Sequence, residues 1–195
     1  MMSKLFFITH PDVIIDSNIP IEKWDLSEKG ENEALSLLMQ PFWQTVDIIY
    51  TSEETKAVTV GEMASQKFML QYIKKGCIGE IDRSSTGYLP YEEYMEAVKH
   101  FFEEPEKSYN GWETAQAATQ RIVSCVDKIV SSHPNQNIAI IGHGGTAGLL
   151  ICYMKGVVPN FKNVPADTTK VPAGLGFFIE LDWKNRKINS EWVKY

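Results

Sequence analysis

His10 and His143 are the two residues of this 195-residue chain whose settings suggest chemistry. Each closes a short apolar run: Leu5-Phe6-Phe7-Ile8 and then Thr9 precede His10, and Ile138-Ala139-Ile140-Ile141 and then Gly142 precede His143. Residues apolar at consecutive positions are the pattern of strands covered on both faces of a layered sheet. A third such run, "VDIIYTS", ends at Thr51-Ser52, with Lys56 one helical turn further on. In a parallel sheet the carboxyl ends of these strands share one edge, and helix N-termini open their unpaired N–H groups onto the same space. Two imidazoles, an ammonium group and backbone N–H donors converging there suit a phosphate.

The elements that must position these groups follow from the spacing between them. Ser27 is placed to cap a helix whose first turn holds Glu28 and Glu31, and Ala34, Leu35, Leu38 and Met39 recur at helical spacing before Pro41 helps to end it. Ser52 with Glu53 and Glu54 marks a second helix start, running through Ala57, Met63 and Ala64 toward Phe68. "CIGEIDRSSTGYLP" has the composition of a loop, long enough to form a lid or a wall, and helical patterns resume over 92–102 and 113–131. "NIAIIGHGGTAGLLICYMKG" reads as strand, glycine turn and apolar helix, which Gly156 can terminate, and "GFFIELDWKNRKINSEWV" as two closing strands with a turn near Lys184-Asn185. Alternating strands and helices predict a three-layer α/β/α sandwich with a mainly parallel sheet, in a single domain spanning residues 1–195.

Composition narrows the function classes. Lys+Arg number 19 against Asp+Glu 25, a formal net charge of -6, so no overall positive field draws the chain onto nucleic acid or anionic lipid. An anionic ligand must therefore be held by a local pocket. The apolar runs are far shorter than the eighteen or so residues that span a bilayer, and the N-terminal one breaks at His10-Pro11 without a signal-type cleavage site. Cys77, Cys125 and Cys152 are odd in number and widely spaced, the pattern expected of free thiols in a cytoplasmic protein. Nothing in the sequence fixes an oligomeric state.

Four ordered segments, "ITHPDV", "WDLSEKGENEA", "IIYTSEETKAVTVGEMA" and "IIGHGG", together resemble the histidine phosphatase superfamily, the phosphoglycerate mutase-like proteins. The resemblance covers most of the chain. It implies that His10 is a nucleophile that attacks a phosphomonoester and becomes phosphohistidine, which water then hydrolyses or, as in a mutase, a second acceptor relieves, with no metal and no cofactor. Neutral imidazole is a competent nucleophile near neutral pH, and dividing the displacement replaces one difficult step with two easier ones. By the same resemblance His143 stabilises the transferring phosphoryl group, and Glu80 is the proton donor and later the base, with Asp82 as its rival.

The resemblance also identifies departures. Thr9 stands where the family has an arginine before the nucleophile, Pro11 where it has a glycine, and Lys56 where it has a second arginine. A guanidinium grips phosphate with a rigid fork, whereas an ammonium is a point charge and a threonine only a neutral hydroxyl. Of the chain's three arginines, Arg83, Arg121 and Arg186, Arg83 is the best placed to compensate. The expected phosphate contacts are therefore Thr9, Lys56, Arg83 and Gly144; the family's asparagine after the first motif has no clean counterpart, Asn18 and Asp16 being equally near.

Two functions fit this reading: hydrolysis of a small phosphomonoester, or a non-catalytic domain that keeps the fold and binds a phosphorylated ligand or protein partner. The lost arginines favour the second, and the retained His10, His143 and Glu80 the first. A nucleotide-binding reading of "GHGG" fails for want of GxGxxG or GxxxxGK[ST] spacing. His100 and His133 read as structural, and Tyr88 and Tyr91 as aromatics that can line the substrate entrance.

Overall fold

Strand β1 (Leu5–Thr9) sends Leu5 and Phe7 into one apolar layer and Phe6 and Ile8 into another. That alternation is the period-two consequence of a pleated strand with a helical layer on each face. The computed structural model describes residues 3–159 and 176–195. Around β1 lie α1 (Glu28–Leu37), β2 (Ile48–Thr51), α2 (Thr55–Phe68), β3 (Tyr72–Lys74), α3 (Tyr91–Glu103), α4 (Ala115–Ser132), β4 (Ile138–Gly142) and α5 (Gly144–Lys155). β5 (Phe177–Asp182), β6 (Lys187–Ile188) and β7 (Val193–Lys194) follow.

The strand order is β3-β2-β4-β1-β5-β6, with β7 also on β5. β3, β2, β4 and β1 pair in parallel, and β5, β6 and β7 add an antiparallel margin. One layer packs Leu5, Phe7, Ile138 and Ile140 against α4 and α5; the other packs Phe6, Ile8, Ile49 and Ile141 against α1 and α2. Each large side chain removed from water in this way contributes roughly 1.5–3 kcal/mol. The fold is the mainly parallel α/β arrangement expected.

Four local features differ from the expectation. β3 is only three residues long, too short for its periodicity to register in the sequence. The closing segment forms three strands, not two, because the chain beyond Asn189 returns to pair with the start of β5. α2 takes Glu54 as its N-cap residue, displacing Ser52 from that role. Cys77 and Cys125, expected as thiols, are joined in a disulfide across 48 positions, leaving Cys152 free and buried. A single-turn helix, Gly76–Ile78, and α4 pack together, which brings two cysteines that sequence spacing could not pair within bonding reach.

Candidate active site

The β1–β4 register brings the two histidines together. Thr9 pairs with Gly142, and His10 N donates to Gly142 O at 3.0 Å, so the next residue on each strand is a histidine. The rings meet in a T-shaped contact with centroids 5.2 Å apart and planes inclined by 63°. They touch, with no hollow between them, so an anion has to sit beside their edges. His10 is 4% exposed and His143 0%.

Each ring has its tautomer set by its partners. His10 Nδ1 lies 2.8 Å from Pro11 O, and since a carbonyl only accepts, Nδ1 carries the proton and Nε2 keeps the lone pair. Pro11, which replaces the family's glycine, thus supplies the acceptor that orients the nucleophile candidate. Burial, with the nearby His143 and Lys56, lowers the His10 pKa from 6.5 to about 3, so the ring is neutral near pH 7. His143 Nε2 lies 2.8 Å from Ser52 Oγ and 3.1 Å from Glu54 Oε1. A carboxylate cannot donate, so this nitrogen bears the hydrogen, and the buried Nδ1 has no partner among the described residues. Burial, followed by the charges of Lys56 and Arg121, pushes the His143 pKa well below its usual value.

Glu80 reaches the same place by another route. Its carboxylate caps the N-terminus of α5: Gly145 N donates to Oε2 at 2.9 Å, and Thr146 N and Ile81 N donate to Oε1 at 3.0 Å and 2.9 Å. A carboxylate has about four acceptor sites. Three are filled, and one on Oε2 is left for a proton. Burial raises the Glu80 pKa, and its three backbone hydrogen bonds oppose the rise. Gly145 permits the approach, since a Cβ there would lie 2.6 Å from Glu80 Oε1 and 2.7 Å from Ile81 Cδ1.

The loop bearing Glu80 is held by Arg121. Its guanidinium donates to Cys77 O at 3.0 Å, Gly79 O at 3.0 Å and Glu80 O at 3.1 Å, and pairs with both carboxylate oxygens of Glu113 at 2.8 and 2.7 Å. The Cys77–Cys125 bond ties the same loop to the same helix.

Several expected phosphate contacts are placed elsewhere. Thr9 is a correction: its hydroxyl donates to Phe177 O at 3.3 Å and accepts from Phe177 N at 3.0 Å, so it fastens β1 to β5 and is spent on the sheet. The Arg83 guanidinium stacks over the Tyr94 ring at 4.9 Å, and Tyr94 also lies within electrostatic reach of Glu80, while Arg121 is the arginine whose charge reaches His143. Lys56 lies at the site, yet its ammonium is engaged by Glu54 Oε2 at 2.5 Å and Ile21 O at 2.9 Å. Gly144 opens α5 directly after His143, but the next two N–H groups are given to Glu80. Asp82 turns to Ser84, whose hydroxyl and N–H lower its pKa. Asp16 and Asn18 bond to one another in an exposed turn. His133 bridges Tyr50 and Gln136, as a structural histidine should.

Glu54, Ser52 and Arg121 are the site groups that sequence reasoning missed. Glu54 read as an acidic charge in a first helical turn, Ser52 as a cap and Arg121 as a helix residue. Only the α2 start after β2 pointed toward Glu54, and nothing local marked Arg121.

The chain belongs to the histidine phosphatase superfamily (branch 1), whose family model matches residues 21–172. The matched stretch begins beyond His10, in keeping with the altered segment around that residue. Phosphoserine phosphatase 1 of Hydrogenobacter thermophilus is 30% identical over 139 residues, covering 68% of this chain and 65% of that relative. The chain thus spans just under two thirds of that relative's length. Among solved structures, phosphoserine phosphatase of Entamoeba histolytica in complex with 3-phosphoglyceric acid superposes with a TM-score of 0.77 at 16% identity, covering 97% of this chain and 96% of that one. A mycobacterial glucosyl-3-phosphoglycerate phosphatase with inorganic phosphate gives 0.77 at 14% identity, covering 98% of each chain. These structural likenesses establish the fold.

Proposed function

We propose that this chain is a phosphomonoester hydrolase acting on a small phosphorylated substrate, with His10 as the phosphoryl acceptor, working as a single domain. The observation that carries the reading is the pairing of His10 and His143 at the parallel strand ends, with the lone pair of His10 left on Nε2 by the Pro11 carbonyl. Relatives named as phosphatases of phosphoserine and of glucosyl-3-phosphoglycerate support a small phosphomonoester as substrate.

In the proposed reaction the Nε2 lone pair attacks phosphorus as the bond to the leaving oxygen breaks. His143 donates from Nε2 to a phosphoryl oxygen on which charge accumulates. Glu80, protonated on its remaining Oε2 site, gives its proton to the leaving alkoxide; it then takes one from the water that attacks phosphorus and releases His10. Lys56 is the remaining anion contact. Hydrolysis is favoured over mutase action because a bisphosphate intermediate demands more cationic contacts than Lys56, already paired with Glu54, supplies. Among the described residues no helix is long and apolar enough to cross a membrane. A cytoplasmic location belongs to this proposal, and the Cys77–Cys125 disulfide weighs against it, since disulfides persist in oxidising compartments.

The test is turnover of a panel comprising p-nitrophenyl phosphate, phosphoserine and 3-phosphoglycerate by the wild type and by His10→Gln. Hydrolysis by the wild type and its loss in the variant support the proposal. Ligand binding with no turnover of any monoester would instead make the chain a binding domain.

A further inference from the structure

Glu54 stands where an incoming anion would. One carboxylate oxygen, Oε2, meets the Lys56 ammonium at 2.5 Å; the other, Oε1, takes the His143 Nε2 hydrogen at 3.1 Å and the Glu80 N–H at 2.8 Å. A lysine, an imidazole N–H and a backbone N–H are the donors that a phosphoryl group needs here, and this chain's own side chain holds all three. The Glu54 side chain is 13% exposed and that of Lys56 4%, so water screens the arrangement little. We propose that Glu54 is a specificity-determining residue that sets the charge of the phosphoryl group the site accepts, favouring the singly charged form over the dianion.

The inference rests on the hydrolase reading and follows from the balance of charge. Lys56 is matched by Glu54, and both imidazoles are neutral. A dianion entering beside the rings meets one cation that is already paired with the Glu54 carboxylate, and Glu54 is close enough to Glu80 to help keep the Glu80 proton in place. The groups facing Glu54 are Lys56 on α2, His143 after β4, the Glu80 main chain in the loop after β3, and the charge-coupled His10 after β1. Arg121 on α4 contributes through His143. A monoanion loses less to repulsion and can share Lys56 with Glu54. The same arrangement releases inorganic phosphate readily once it becomes a dianion, so product inhibition is weak.

The experiment titrates inorganic phosphate into the wild type and Glu54→Gln by calorimetry, at pH values above and below the second ionisation of phosphate. Glutamine keeps the shape and removes the charge. Above that ionisation, Glu54→Gln should bind phosphate at least about tenfold more tightly than the wild type, the effect of one freed charge-assisted contact. Wild-type affinity should rise as the pH falls through the ionisation, and in the variant that preference should vanish or reverse. Unchanged or weaker binding by the variant overturns the inference. So does a wild type that binds the dianion as tightly as the monoanion, a result that needs no substitution if the variant does not fold. His10-dependent turnover with no gain from Glu54→Gln removes this inference alone. Absence of both turnover and phosphate binding in the two proteins removes the hydrolase reading and this inference together.

Discussion

His10 and His143 occupy successive ends of paired strands, lie in the same burial and are both neutral, yet they are held in opposite ways. The His10 ring is fixed by the backbone carbonyl of its own neighbour, Pro11, and its Nε2 is left as a lone pair. The His143 ring is fixed by side chains from the β2–α2 connection, Ser52 and Glu54, through an Nε2 that carries hydrogen. One imidazole is thereby prepared to form a bond and the other to donate. Fold position alone does not distinguish them; the hydrogen-bond partner of one nitrogen does.

Substitutions can break or sharpen this contrast. The largest effect is expected from His10→Gln: loss of the nucleophile should lower kcat by at least about 10³-fold, measured against p-nitrophenyl phosphate, with the fold intact. Reduction of the Cys77–Cys125 bond opens the 48-position loop it closes in the unfolded chain, restoring that state's entropy, and should cost up to about 4 kcal/mol in urea unfolding, while leaving both rings in place. His143→Gln should lower kcat by about 10²–10³-fold, the usual loss of one transition-state donor, and still allow slow phosphorylation of His10. Equal and complete loss in both histidine variants would contradict the division of roles.

Smaller effects probe the supports. Arg121→Met leaves three loop carbonyls and Glu113 without their partner, and should destabilise by about 2–3 kcal/mol while slowing turnover through Glu80. The His10 ring, with a folded pKa of about 3 against 6.5 unfolded, is neutral in the fold and takes up a proton on unfolding between those values. The unfolded state therefore binds more protons in that window, and stability is lost as pH falls from about 6.5 toward 3. In His10→Gln this part of the acid slope should disappear, as followed by denaturant midpoints across the window. Ser52→Ala, which removes one partner of His143, should cost about 1 kcal/mol.

The layered fold was legible because β1, β2 and β4 are covered on both faces, and continuous apolar runs of that kind have few other uses. Ser27 capping α1 and Gly156 ending α5 in the left-handed region act through local chemistry, so their neighbourhoods reveal them. The meeting of His10 and His143 followed from strand ends. Which groups would surround them did not, because those contacts cross 26 to 91 positions, as in Glu80 to Glu54 and His143 to Ser52. Thr9 illustrates the limit: a hydroxyl beside the nucleophile looks available in sequence, and only β5, arriving 168 residues later, claims it. Arg83 and Arg121 likewise differ by what folds against them, an aromatic ring in one case and three carbonyls with a carboxylate in the other.

The central claim is that the Nε2 lone pair of His10 becomes the phosphoryl acceptor. Rapid acid-free quench of wild-type protein with a phosphorus-labelled monoester, followed by mapping of the labelled residue, tests it directly. The account predicts label on His10, formed within a turnover and absent from His10→Gln. Hydrolysis by the wild type with no labelled protein at any time, or with label on another residue, would contradict it.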